Sequence, residues 1–279
     1  MGRLVAAWAL GLTYRGSQFH GWQRQPNCQT VQGALEQALS KMADQPIRST
    51  VAGRTDKGVH ACGQVVGFAS NVDREASVWL RGLNGLTPEA LQINWVTPVS
   101  DTFHPRYSAT ARTYQYLYAD AAATHSGLAP FLRELAWCCP ALDVDAMHRA
   151  AQGLLGEHDF SSFRGAGCQS MTPVRRVDRI EVARHQGWVV MTIEANAFLL
   201  HMVRNIARAL HDVGVGHQPA DLVDLLQARD RTRLGATAPP DGLYLTRVSY
   251  PGFALPEPAQ PWFAANRVQP VLSSPSPSR

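Results

Sequence analysis

Asp56 is the residue of this chain best placed to do chemistry. It stands in the stretch Val51-Ala52-Gly53-Arg54-Thr55-Asp56-Lys57-Gly58-Val59-His60-Ala61, between a short apolar lead-in and the strand-like run Gln64-Val65-Val66-Gly67-Phe68. Arg54 and Lys57 are close enough along the chain for a turn to bring both cations near the carboxylate, and nearby positive charge favours its ionised form. Gly53 and Gly58 relax the backbone on either side, so the carboxylate can be presented at the tip of a loop, as a nucleophile requires. An aspartate two places before a glycine is also the signature of an ordinary turn in which the side chain bonds its own backbone. Residue types alone favour that plainer reading.

The elements that must position this loop are legible from periodicity. Trp8 to Tyr14 alternates large and small residues like a strand. The loop that follows, Arg15 to Gln25, interleaves aromatic and basic residues, so Phe19 and Trp22 either stack on nucleic-acid bases or seal the core beneath. Thr30 caps a helix with Val31, Ala34, Leu35, Ala38, Leu39 and Met42 along one face. A short helix over Ser77–Asn84 and a strand over Leu91–Val96 complete a first half that reads strand, helix, strand, helix, strand. In the second half Tyr114, Tyr116 and Tyr118 fall at every second place, which on a strand puts them on one face. Asp143 caps a further helix, Gly156–Arg164 reads as a loop, and a hairpin joins Ile180–Ala183 to Trp188–Ile193 through Gln186-Gly187. A helix over Phe198–Val213 buries Phe198, Met202, Ile206 and Val213. It shows a polar stripe of His201, Arg204, Asn205 and Arg208, a pattern that usually means a solvated face.

Composition narrows the class. With 279 residues the chain can bury a substantial core without staples. No run approaches the length of apolar residues a membrane helix needs, and the first residues read as a strand rather than a signal peptide. The expectation is a cytoplasmic protein. Five cysteines lie scattered without ligand spacing, so neither a disulfide framework nor a structural zinc is expected. His158 sits between two acids, but no second ligand pair accompanies it. The net charge is +4 and Lys41 and Lys57 are the only lysines, so the cations are nearly all arginine, whose planar fork suits phosphate. Arg24, Arg54, Arg106, Arg112, Arg204 and Arg208 are the candidate contacts to a polyanion. Beyond Pro251 the text turns Pro- and Ser-rich and cannot bury enough apolar area to order itself.

The string Gly-Arg-Thr-Asp-x-Gly-Val-His-Ala resembles the catalytic-aspartate loop of the TruA-type tRNA pseudouridine synthases. The later motifs occur in that family's order, from about Ala6 to Tyr250. By this resemblance Asp56 is the nucleophile, adding to the base or attacking the ribose at C1′, and Tyr114 stacks on the target uracil. The motif His201-Met202-Val203-Arg204-Asn205 makes Arg204 a support of the active site, touching either the aspartate or a phosphate. Gly242-Leu243-Tyr244-Leu245 makes Leu243 an apolar contact to the base. Arg54 is the candidate for holding the carboxylate ionised and for filling the space a flipped base leaves, while Thr55 and His60 fix the loop. Where the family has Tyr-Asp-Gly, this chain has Tyr14-Arg15-Gly16, which adds a cation. The resemblance implies an α+β fold of two α/β halves, residues 1–108 and 109–252, whose antiparallel sheets join into one platform, and composition leaves 253–279 an unstructured tail. It also implies a homodimer, tRNA as partner, the anticodon stem-loop as substrate, uridines 38, 39 and 40 as targets, and no cofactor or metal. Two rivals remain open. One is an RNA-binding protein that keeps the platform without the chemistry, against which the complete Asp56 loop argues. The other is a glycoside hydrolase, which needs a second placed carboxyl that the motifs do not offer.

Overall fold

The polypeptide builds one ten-stranded sheet to which both halves of the chain contribute. The computed structural model describes residues 6–121, 128–185, 187–217, 222–261 and 263. The elements run β1 (Ala6–Tyr14), α1 (Val31–Ala43), β2 (Ser49–Val51), β3 (His60–Ser70), α2 (Ala76–Leu86), β4 (Leu91–Pro98), β5 (Ala111–Asp120), β6 (Trp137–Cys139), α3 (Val144–Ala151), β7 (Gly156–Asp159), β8 (Val174–His185), β9 (Trp188–Ala195), α4 (Met202–Gly214), α5 (Leu222–Ala228) and β10 (Leu243–Ser249). The main path of the sheet is β4-β1-β3-β10-β5-β9-β8-β7, with β2 on β3 and β6 on β5.

The path joins the halves at one seam. β10 pairs antiparallel with β5 and parallel with β3 through Tyr244↔His60 and Leu245↔Ala61. Close approach there requires Gly63, because a Cβ at that position would collide with the Thr246 carbonyl. The expected platform is therefore present and mostly antiparallel, with parallel pairing at this seam and between β5 and β6.

Local chemistry explains the helices that pack against the sheet. Thr30 Oγ1 accepts from Gly33 N at 3.3 Å and Asp143 Oδ1 from Ala146 N at 2.9 Å, each satisfying an orphan donor of a first helical turn. Trp79 of α2 meets Phe68 of β3 edge to face at 5.2 Å, which seats that helix on the first half of the sheet. Tyr114, Tyr116 and Tyr118 do share one face of β5 and all three are buried. Tyr116 and Tyr118 donate to the Pro239 and Ala207 carbonyls at 2.8 and 2.9 Å, so their hydroxyls are satisfied inside the core.

Three sequence expectations change. The stretch from Gly156 is not all loop: Gly156–Asp159 is β7, hydrogen-bonded along β8. The helix expected from Phe198 begins at Met202, because His201 takes the left-handed conformation at φ 59° and interrupts it. Phe253 and Phe263, within the segment read as an unstructured tail, sit against Phe103 and Tyr244 at 5.0 Å in each case. Residues 264–279, the first five residues, and Gln186 of the β8–β9 connection lie outside the described residues.

Candidate active site

The Asp56 loop is held from beneath by its neighbours rather than by its own carboxylate. Thr55 is buried. Its carbonyl accepts from Trp22 N at 3.0 Å and its hydroxyl shares a 2.8 Å hydrogen bond with Tyr14. Gln64 donates to the Tyr14 hydroxyl at 3.2 Å and to the Gly53 carbonyl at 2.7 Å. Beyond the aspartate, Val59 N donates to the Asp56 carbonyl at 3.2 Å, closing a turn that needs Gly58 at φ +84°. A Cβ there would also press on Pro240 at 2.7 Å. His60 accepts from Gly16 N at 3.1 Å through Nδ1, donates from Nε2 to the Glu134 carbonyl at 2.9 Å, and stacks on Tyr244 at 4.7 Å. Burial pushes its pKa down to about 4, so the imidazole is a neutral strut.

Arg112, expected to meet a polyanion, serves the same scaffold. Its guanidinium donates to the carbonyls of Ala52, Arg106, Ala109 and Asn196 at 2.7–3.2 Å. Ala52 begins the aspartate loop, so this arginine ties that loop to the lead-in of β5. Phe19 and Trp22 settle the alternative left open for the Arg15–Gln25 loop. Both rings are buried against Tyr14, and neither is presented to a base.

With the loop so pinned, the Asp56 carboxylate projects toward the start of α4. Its Oδ2 lies 3.5 Å from Arg204 Nη1 and 3.3 Å from His201 Nε2. These separations mark electrostatic contacts rather than tight hydrogen bonds. Both converge on one oxygen. Oδ1 has no ion-pair or hydrogen-bond partner among the described residues, and the side chain is 32% exposed. Arg204 is anchored by an Nε bond to the Ala238 carbonyl at 2.8 Å. His201 holds its position through the left-handed backbone that also starts the helix, a conformation that non-glycine residues adopt chiefly where surroundings over-determine it. Gly165 makes room: a Cβ there would come within 2.9 Å of both His201 Nδ1 and the Leu200 carbonyl. Burial lowers the His201 pKa, and the charges of Arg204 and Arg231 push the same way against the pull of Asp56. The imidazole is therefore mostly neutral near pH 7.

The arrangement corrects the role expected for Arg54. Arg54 and Lys57 are both exposed and neither makes an ion pair with Asp56; the cation facing the carboxylate is Arg204. Arg208 pairs with Asp212 at 2.9 Å, and Arg24 lies 3.8 Å from Glu36. Of the candidate polyanion contacts, Arg54 and Arg106 are exposed and free of acidic partners among the described residues.

Tyr114 and Leu243 lie on the paired strands β5 and β10. The Tyr114 hydroxyl lies 3.8 Å from the place a Cβ would occupy on Gly53, and its ring meets Phe198 edge to face at 5.1 Å. Burial, then the nearby Tyr14 and Asp56, pushes its phenol well above the ordinary value, so it stays protonated. Leu243 is buried opposite Tyr116, at the point where Gly242 lets β10 approach β5.

Sequence reasoning missed His201 as a contact of the aspartate and Asn205 as an anchor. Asn205 is buried, donating to the Phe163 carbonyl at 2.8 Å and accepting from Thr237 and Arg231 at 2.9 and 3.1 Å. On the helix expected from Phe198 the i, i+3 spacing put His201 and Arg204 on one face, and that was the available signal. Among the described residues no group of three or more His, Cys, Asp or Glu is arranged to hold a metal ion, and no helix is long and apolar enough to cross a membrane.

Comparison with known proteins identifies the family. The family profile described as tRNA pseudouridine synthase matches residues 12–108 and 150–251. The tRNA pseudouridine synthase A of Shewanella amazonensis is 49% identical over 252 residues, covering 89% of this chain and 95% of that protein. The enzyme of the same name from Pectobacterium atrosepticum is 48% identical over 266 residues, with 92% and 91% covered. That from Yersinia pestis is 48% identical over 261 residues, with 92% and 98% covered.

Proposed function

The chain belongs to the tRNA pseudouridine synthase family and isomerises uridine in tRNA, and on that premise we propose that its targets are uridines 38, 39 and 40 of the anticodon stem-loop and that Asp56 is the nucleophile. The observation that carries the second part is the convergence of Arg204 and His201 on Asp56 Oδ2. Charge and dipole hold one carboxylate oxygen, and the other is left to face a substrate.

The reaction balances without a redox partner. The N1–C1′ bond of uridine breaks, a C5–C1′ bond forms, the C5 proton is released, and N1 gains a proton. Asp56 Oδ1 attacks either the base or C1′ to free the uracil for rotation. A base within a stem cannot reach this cleft, so the nucleotide must leave the stack at a cost of a few kcal/mol. Stacking on Tyr114 offsets that at roughly 1–3 kcal/mol, and Leu243 closes the apolar side. Arg54, exposed beside the loop, occupies the gap the base vacates. A single subunit has little surface to spare for the arms of a tRNA, so we infer a homodimer, in the cytoplasm, that holds one tRNA across both chains.

Incubation of unmodified tRNA with the protein, followed by chemical mapping of pseudouridine, tests this reading. Signal at 38–40 with wild type, and none with Asp56→Asn despite retained tRNA binding, is the expected result. Modification confined to other positions overturns the site assignment, and turnover by Asp56→Asn overturns the nucleophile.

A further inference from the structure

The turn Phe103-His104-Pro105-Arg106-Tyr107-Ser108 carries an aromatic side chain that the chemistry above does not use. Tyr107 is 76% exposed, in contrast to the buried tyrosines of β5. Such a ring usually lies mobile on a surface, but this one is braced. Its backbone N–H and that of Arg106 both donate to His104 Nδ1, at 3.2 and 3.1 Å. The turn is closed by Ser108 N donating to the His104 carbonyl at 2.9 Å and His104 N donating to Ser108 Oγ at 3.0 Å. The His104 ring lies 4.3 Å from the Tyr107 ring, and the Arg106 guanidinium 5.6 Å from its centroid. Tyr250 fixes the Pro105 carbonyl from below at 2.6 Å.

This turn is also tied to the reaction centre. One guanidinium nitrogen, Arg112 Nη2, donates to the Arg106 carbonyl at 2.7 Å and to the Ala52 carbonyl at 3.1 Å. The exposed turn and the Asp56 loop therefore share a single bracket. A braced open ring with exposed Arg106 against it offers what an unpaired nucleotide needs: a stacking face at low entropy cost, with a cation for the adjoining phosphate.

We propose that Tyr107 is a second base-stacking site for the tRNA, holding an unpaired nucleotide of the substrate outside the catalytic pocket, with Arg106 on its phosphate. This rests on the reading of the Asp56 cleft as the place where tRNA reacts. Binding is therefore read directly, so that the result does not depend on which residue is the nucleophile.

The experiment compares Tyr107→Phe, Tyr107→Leu and Tyr107→Ala for tRNA affinity, KM and kcat, with melting and sedimentation of each variant. Loss of one stacked base weakens binding about tenfold, so the Ala and Leu variants should show that loss in Kd and KM rather than in kcat. The Phe variant should stay within about twofold of wild type, and all three should melt with wild type because the ring is exposed. Arg106→Gln should lower the slope of log affinity against log salt by about one phosphate contact. Wild-type affinity in the Ala variant overturns the proposal, as does rescue by Leu equal to rescue by Phe, which would mean generic apolar contact. A change of oligomeric state in the Ala variant overturns it in favour of a subunit contact.

Discussion

Arg204 spans two anchors: its Nη1 stands 3.5 Å from Asp56 Oδ2 while its Nε donates to the Ala238 carbonyl at 2.8 Å. One planar side chain thus registers the aspartate loop, α4 and the segment leading to β10 against one another. Lysine offers a single point charge and cannot reproduce both contacts.

Arg204→Lys is expected to lower kcat by about 10- to 100-fold, equivalent to about 1.4–2.7 kcal/mol of barrier. Leaving the Ala238 carbonyl without its donor should cost about 1–3 kcal/mol of stability. Single-turnover kinetics and urea unfolding separate the two effects. A variant with wild-type kcat would show that the contact with Asp56 is incidental.

For Arg54→Ala the expected pattern is the reverse. The side chain is exposed and makes no ion pair among the described residues, so melting should not move. Affinity for tRNA should fall, and the slope of log affinity against log salt should shrink by about 0.7–0.9. A wild-type salt slope, or a shifted pH–rate profile in place of a binding defect, would show that Arg54 acts on the carboxylate after all.

Tyr114 lies with its ring buried against Phe198 and its hydroxyl without a hydrogen-bond partner among the described residues. Tyr114→Phe should therefore fold normally and retain most activity. Tyr114→Ala should lose about 3–5 kcal/mol of stability through the cavity it leaves, and should bind the flipped base more weakly. If Phe alone abolishes turnover, the hydroxyl moves a proton in the rearrangement.

His60 makes stability depend on pH with a definite sign. The unfolded imidazole takes a proton below about 6.5, while the folded one resists until about 4 because it is buried. Between those values the unfolded chain binds more protons, so acidification favours unfolding. The contribution is about 3 kcal/mol, present above pH 6.5 and lost as pH falls to 4. Urea titrations across this window should show the loss. In His60→Gln it should shrink, together with a lower stability at pH 7 from the broken bonds to Gly16 and Glu134. An unchanged slope in the variant would assign the acid sensitivity elsewhere.

Much of the site could be read before folding was considered. Gly53, Asp56 and Gly58 announce a turn because the steric freedom of glycine and the side chain of aspartate act over a few residues, and the Tyr114–Tyr116–Tyr118 alternation announces one face of a strand for the same local reason. Motif resemblance placed Arg204 near the centre but left its partner open between carboxylate and phosphate. Sequence proximity then pointed to the wrong cation. Arg54 is two residues from Asp56, but burial of Thr55 between them pins the loop from inside and leaves Arg54 facing solvent. Arg204 meets the carboxylate because β10 bridges β3 to β5, and because a left-handed residue at His201 sets where α4 begins. The residue types and the turn that presents Asp56 were determined by sequence alone. Which charge faces the carboxylate, and which of its oxygens is left open, was decided only by tertiary structure, since electrostatic contact depends on distance through space and chain neighbours on a pinned loop need not share a direction.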